Sequence, residues 1–189
     1  MRRPHYHDNR KGSARMKMVR IFFLAGLIST APPVFAGGSH GGERAQGMAT
    51  GKVVDPSKAD RSVSIQMHDS YYSLESIEVE QGEVVRFEIE NEGDLVHEFN
   101  IGTASMHEAH QKEMAMMARK GAIQGDSVSY NAMGGSGNKK RHDDPNSILL
   151  EPGEEKVLVW KFLKKADLEF ACNVPGHYQA GMRGDIHFK

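Results

Sequence analysis

The amino-acid sequence predicts an all-β domain, a Greek-key β-sandwich that carries one helical insertion rich in methionine and histidine. Three observations predict it. From residue 62 onward, apolar and polar residues alternate at period two in short runs. Gly and Pro turn signals separate those runs. One stretch, 103–147, breaks the alternation with a run of strong helix formers.

Residues 1–36 read as an export signal. Lys17 and Arg20 form a positive flank and residues 21–28 an apolar segment. Val34 and Ala36 stand at the two positions a signal peptidase reads, so cleavage after Ala36 and a periplasmic location are expected. The apolar run is about 10 residues, against roughly 20 for a bilayer span, so no membrane association is expected after cleavage. Residues 1–15 are basic and polar, unlike the start of a signal, which points to translation from Met16 or Met18. The Arg2-Arg3 pair lies too far from the apolar segment to act as a twin-arginine signal.

The remaining chain is long enough for one domain with a real core. Residues 1–36 hold seven Lys/Arg and one acid, which leaves 17 bases against 24 acids and a formal charge of −7. Nucleic acid is excluded as a partner, since binding it calls for a basic patch. Cys172 is the one cysteine, so no internal disulfide forms even where export would permit one. An unpaired thiol in an oxidising compartment is a liability unless a bound ion occupies it.

Residues 37–60 are Gly-rich and polar and read as a flexible leader with one strand at most. His40, close to the new amino terminus, is either an ancillary metal ligand or a solvated tail residue. The domain itself occupies 61–189. Val63, Ile65 and Met67 give one inward face, and Val85, Phe87 and Ile89 a second. Leu158, Trp160 and Phe162 give a third, while Ile186 and Phe188 close the chain with His187 pointing outward. Turns are predicted at Gln81-Gly82, Glu92-Gly93-Asp94 and Pro152-Gly153. This pattern specifies a sandwich.

Within the insertion, residues 106–121 are helical in pattern and end on Gly121. At about 100° per residue, Met106, His107, His110, Met114 and Met117 fall within about one third of the helix circumference. Two readings of that stripe stand: thioether and imidazole donors for a soft metal ion such as Cu(I), or flexible side chains that pack the helix onto the sandwich. Residues 134–137 and the basic cluster Lys139, Lys140, Arg141 and His142 read as a mobile loop.

Chemistry concentrates in Cys172-x4-His177-x4-Met182, with His97 placed 75 residues before the cysteine. One thiolate, two imidazoles and a thioether make the donor set of a mononuclear type 1 copper site, with methionine as the weak axial ligand. Pro175-Gly176 bends the loop so that His177 returns towards Cys172. Strand parity puts Cys172 on the face of Leu168 and Phe170, and His97 on the face of Phe99 and Ile101. The competing reading is a buried cysteine acting as a small hydrophobe beside an ordinary loop.

On these residues, positions 60–189 resemble the cupredoxins, the small blue copper proteins. The ligand loop, followed by Arg183, Gly184, Asp185 and Ile186, is similar to those of the rusticyanin- and auracyanin-type members and of periplasmic cupredoxins linked to copper tolerance. The resemblance implies a cupredoxin-like sandwich with one copper ion held by His97, Cys172, His177 and Met182. It implies one-electron transfer with a soluble partner such as a c-type cytochrome or a reductase, or else copper sequestration through the same site. Glu98 departs from the Asn or Ser that many members carry after the first histidine, where the main-chain N–H commonly donates to the thiolate. No catalysis is expected: Ala171 and Asn173 flank the cysteine where oxidases with several coppers have histidines, and one domain is too few for a copper nitrite reductase.

Overall fold

The protein is described by a computed structural model over residues 50–129 and 144–189. The expected export signal, His40 and the Gly-rich and basic loop at 134–142 lie outside the described residues. In chain order the elements are β1 (Gly51–Val53), β2 (Arg61–His68), β3 (Tyr71–Tyr72), β4 (Ser76–Val79), β5 (Val84–Asn91) and β6 (His97–Gly102). Helix α1 (Ala104–Arg119) follows, then β7 (Ser147–Leu150), β8 (Glu155–Phe162), β9 (Leu168–Ala171) and β10 (Arg183–Phe188).

Among the described residues the strands form two five-stranded sheets, ordered β1-β8-β5-β2-β3 and β4-β10-β9-β6-β7. Each sheet mixes pairings: β2 runs parallel to β5 and β4 to β10, while the remaining neighbours are antiparallel. The period-two faces meet between the sheets as expected. Ile65, Met67, Val85, Phe87, Ile89, Trp160 and Phe162 from one sheet bury against Phe99, Ile101, Leu168, Phe170 and Ile186 from the other. Phe87 reaches across to Phe99, with ring centroids 5.2 Å apart, and Phe99 stacks on Phe170 at 5.7 Å. Each such side chain contributes about 1.5–3 kcal/mol by leaving water.

Strand β6 is buried on both faces. Its inward residues are His97, Phe99 and Ile101, and its other face carries Glu98 and Asn100, also buried. Helix α1 supplies part of the cover. Thr103 caps it, its Oγ1 accepting from the Met106 N–H at 3.3 Å, and Gly121 ends it with φ of 72°. The helix buries Met106, His107, His110 and Met114, and Met117 packs against the core. Thus the predicted stripe is its inward face. Ser147, assigned by sequence to the end of the insertion, instead pairs with Asn100 as the first residue of β7.

Gly184 of β10 shows how closely the ligand-bearing sheet is packed. A Cβ there would run into the Phe170 ring and come within 2.7 Å of the Glu75 carbonyl oxygen. Gly184→Ala is expected to destabilise the protein by about 1–3 kcal/mol through overpacking. Urea unfolding monitored by Trp160 fluorescence measures it.

Candidate metal centre

His97 opens β6 behind a loop that hydrogen bonds hold from both sides. The Asn91 carboxamide accepts from the Gly93 N–H at 3.0 Å and donates to the carbonyls of Leu95 at 2.8 Å and Leu150 at 3.0 Å. Asp69 Oδ1 accepts from the N–H groups of Asp94 at 2.8 Å and Leu95 at 3.2 Å. The same oxygen lies 3.3 Å from His97 Nε2. Burial would raise the Asp69 carboxyl, but the bonds from His97, Asp94 and Leu95 keep it below the usual carboxylate value. His97 therefore carries its proton on Nε2 and turns the Nδ1 lone pair inward. Gly93 permits this approach, since a Cβ there would strike the Asp69 carboxylate and come 2.9 Å from His97 Nε2.

Cys172 follows the last residue of β9, and its loop folds back through two turns. The His177 N–H donates to the Val174 carbonyl at 3.0 Å around Pro175 and Gly176, the glycine with φ of 95°. The Gly181 N–H donates to Tyr178 at 3.0 Å, and the Cys172 N–H to the Met182 carbonyl at 3.1 Å, which closes the loop. Gly181, with φ of 98°, and Gly176 both take a left-handed backbone conformation that favours glycine.

These elements bring three donors together. Cys172 Sγ lies 3.4 Å from His177 Nδ1 and 3.9 Å from His97 Nδ1, and the two nitrogens are 3.1 Å apart. A triangle with those sides has its centre about 2.0 Å from each corner, close to the bond of a first-row divalent ion to imidazole nitrogen and short of its bond to thiolate sulfur, about 2.3 Å. Met182 is buried in the same core cluster as Cys172 and is tied to it through the main chain, its carbonyl accepting from the Cys172 N–H. His97, Cys172 and Met182 are all 0% exposed, whereas His177 is half-buried. The donors fit a soft, copper-type ion.

Burial pushes the Cys172 thiol up to about 12, against a smaller downward pull from the Glu98 N–H that donates to Sγ at 3.3 Å. Burial also lowers His97 and His177, so both imidazoles are neutral near pH 7. The site is then two ready imidazole donors and one thiol that must lose its proton to an incoming cation.

The cupredoxin-like domain family matches residues 44–120, a span that includes His97 and stops short of Cys172. A Pseudomonas aeruginosa protein named copper-resistant cuproprotein CopI is 45% identical over 162 residues, covering 81% of this chain and 90% of that protein. The chain belongs to the cupredoxin family. A second CopI, from Rubrivivax gelatinosus, is 32% identical over 86% of this cupredoxin and 91% of its own length. Among solved structures, auracyanin B superposes with a TM-score of 0.54 at 18% identity, covering 74% of this chain and 98% of that one, a likeness of fold.

The stripe on α1 takes a different place from the three donors. His110 Nε2 lies 2.9 Å from Glu98 Oε1, and His107 Nδ1 lies 3.1 Å from Asn173 Nδ2. Burial would lower His110, but the Glu98 carboxylate outweighs it and raises the imidazole to about 9, so it is a cation at neutral pH. Its Nδ1 faces Asp144 at 3.7 Å and Glu113 at 3.9 Å. That trio is a second grouping of potential ligands among the described residues, but its histidine is committed to a carboxylate as an imidazolium.

Asp69 was not legible as a site residue, since a turn aspartate between two strands carries no distinguishing spacing. Asn173 and the carboxylate of Glu98 were likewise visible only as neighbours of ligands.

Two outcomes follow from the geometry. Asp69→Ala frees the His97 ring and is expected to weaken metal affinity about 10–100-fold, read by competition with a chelator of known affinity. Metal uptake near neutral pH should also release one proton per ion, supplied by Cys172, with affinity falling as pH falls. An indicator dye in weak buffer measures it; uptake without proton release would show that the thiol is not a ligand.

Proposed function

We propose that this cupredoxin binds one copper ion through His97, Cys172, His177 and Met182, passes single electrons through it, and by doing so serves copper tolerance outside the cytoplasm. The observation that carries this reading is the triangle of one sulfur and two nitrogens around a common centre. The names of the relatives from P. aeruginosa and R. gelatinosus support the copper-tolerance role, and the signal-like residues 17–36 support export.

Copper, when bound, supplies a one-electron couple that a thiolate, two imidazoles and a thioether accommodate in both oxidation states. The protein's part is to hold those donors still and dry. His97 and Cys172 are fixed on or beside strands, and Met182 is locked by main-chain bonds from its N–H to His177 and from Cys172 to its carbonyl. His177 is the half-buried edge through which an electron can leave. Pro175, Gly176 and Ala180 are exposed around it, whereas Val174 is buried. A soluble redox protein, such as a c-type cytochrome or a reductase, is the partner this edge suits.

Sequestration is the second reading, favoured by the same relatives' names, and the two separate experimentally. Cys172→Ser should abolish intense visible absorption on Cu(II) addition while leaving the fold intact. Met182→Leu should keep copper and colour but raise the reduction potential, because a weak donor that favours Cu(II) is lost. If electron transfer underlies tolerance, cells carrying Met182→Leu lose protection despite full copper loading. Protection that tracks copper content alone would assign sequestration.

A further inference from the structure

The residues that directly follow His97 and Cys172 in the chain are bonded to each other. Glu98 Oε2 accepts from the Asn173 main-chain N–H at 3.2 Å and from Asn173 Nδ2 at 2.8 Å. Each of these residues is also held by a histidine from α1. His110 Nε2 donates to Glu98 Oε1 at 2.9 Å, where Ser147 Oγ also donates, at 2.5 Å. Asn173 Nδ2 lies 3.1 Å from His107 Nδ1, while His107 Nε2 faces the Glu169 carbonyl at 3.5 Å.

The protonation pattern is set by these partners. The Glu98 carboxylate needs donors, so Asn173 presents its NH2 to it, and the same NH2 reaches His107 Nδ1 as an acceptor. His107 is then neutral with its proton on Nε2, consistent with the lowering that burial causes. Glu98, Asn173 and His107 are 0% exposed and His110 is 5%. In a space this dry, a buried carboxylate persists only when its bonds are satisfied.

The helix touches the ligand loop at its rim as well. Gln179 donates to Gln111 Oε1 at 2.7 Å, and the His107 and Tyr178 rings lie 5.9 Å apart. Helix α1 thus braces β6 and the loop of Cys172, His177 and Met182 together.

We propose that α1 is a positioning device for the metal centre: His110 acts through Glu98, and His107 through Asn173, to hold His97 and Cys172 at their mutual distance. The methionines of the stripe pack the helix in place and bind no second ion. This rests on the copper reading above, but half of its test does not.

The test compares His110→Ala, His110→Gln and a Met106→Leu, Met114→Leu, Met117→Leu variant. In the glutamine variant the side-chain NH2 takes the place of the ring Nε2–H. Loaded with Cu(II), His110→Ala should bind copper about 10–100-fold more weakly, with its visible band and reduction potential displaced. His110→Gln should bind copper more tightly than His110→Ala, because its side-chain NH2 keeps the hydrogen bond to Glu98. The leucine variant should keep the wild-type spectrum, potential and copper stoichiometry.

In metal-free protein, iodoacetamide should alkylate Cys172 of His110→Ala about tenfold faster than wild type, because the loop opens more often. Should His110→Ala fail to fold with its carboxylate stranded, the double variant Glu98→Gln with His110→Leu removes both charges and should show the same faster alkylation. A wild-type spectrum, potential and affinity in a folded variant lacking His110 would overturn the proposal. So would unchanged alkylation, or loss of a copper equivalent in the leucine variant. Failure of wild type to develop a thiolate band would instead overturn the copper reading, with alkylation still judging the brace.

Discussion

The hydrogen bond from the Glu98 main-chain N–H to Cys172 Sγ joins the two segments of chain that carry His97 and Cys172. Its effect is larger than its energy, which for a typical net hydrogen bond is about 0.5–1.5 kcal/mol. Cys172 is wholly buried and its thiol is pushed up to about 12, chiefly by that burial. A thiolate in such a place is unfavourable unless a cation meets it. The sandwich therefore builds a position in which one charge state of the sulfur is reached only in company with a metal ion, and the Glu98 N–H is ready to stabilise it.

The rest of the ligand end serves that position. Asp69 turns one imidazole, and Gly93 makes room for the carboxylate to reach it. Gly176 and Gly181 take backbone conformations that bring His177 and Met182 back to the cysteine. Tyr72 donates its buried hydroxyl to the Glu98 carbonyl at 2.6 Å, tying the opposite sheet to the same strand. Preorganisation of this kind holds the donors at their mutual distances by bonds that do not involve an ion.

Much of the fold was legible because burial follows period-two parity along most of β2, β5, β8 and β10, with Val84 and Val159 buried out of step. Ile65, Met67, Phe87, Ile89, Leu158 and Trp160 are buried where alternation puts them, and His187 is exposed as parity requires. The helix was legible from composition and from Gly121. Strand β6 defeats the same rule, because α1 covers its second face and Glu98 and Asn100 are buried where alternation would expose them. Strands β3 and β4 are too short to show a period. At the site, residue types and spacing pointed to the three donors that converge. The Asp69 carboxylate and the Glu98–His110 pair depend on residues that only tertiary packing brings together, over 28 and 12 positions of sequence. A stripe of methionine and histidine on a helix carries the same pattern whether it faces solvent, a metal or a core, so its direction had to come from the structure.

X-ray absorption at the copper edge of the loaded protein tests the central claim most directly. The account predicts one short sulfur scatterer at about 2.1–2.3 Å and two imidazole nitrogens at about 2.0 Å, by analogy with thiolate and imidazole bonds to first-row ions. A shell of nitrogen and oxygen alone, with no short sulfur, would contradict it.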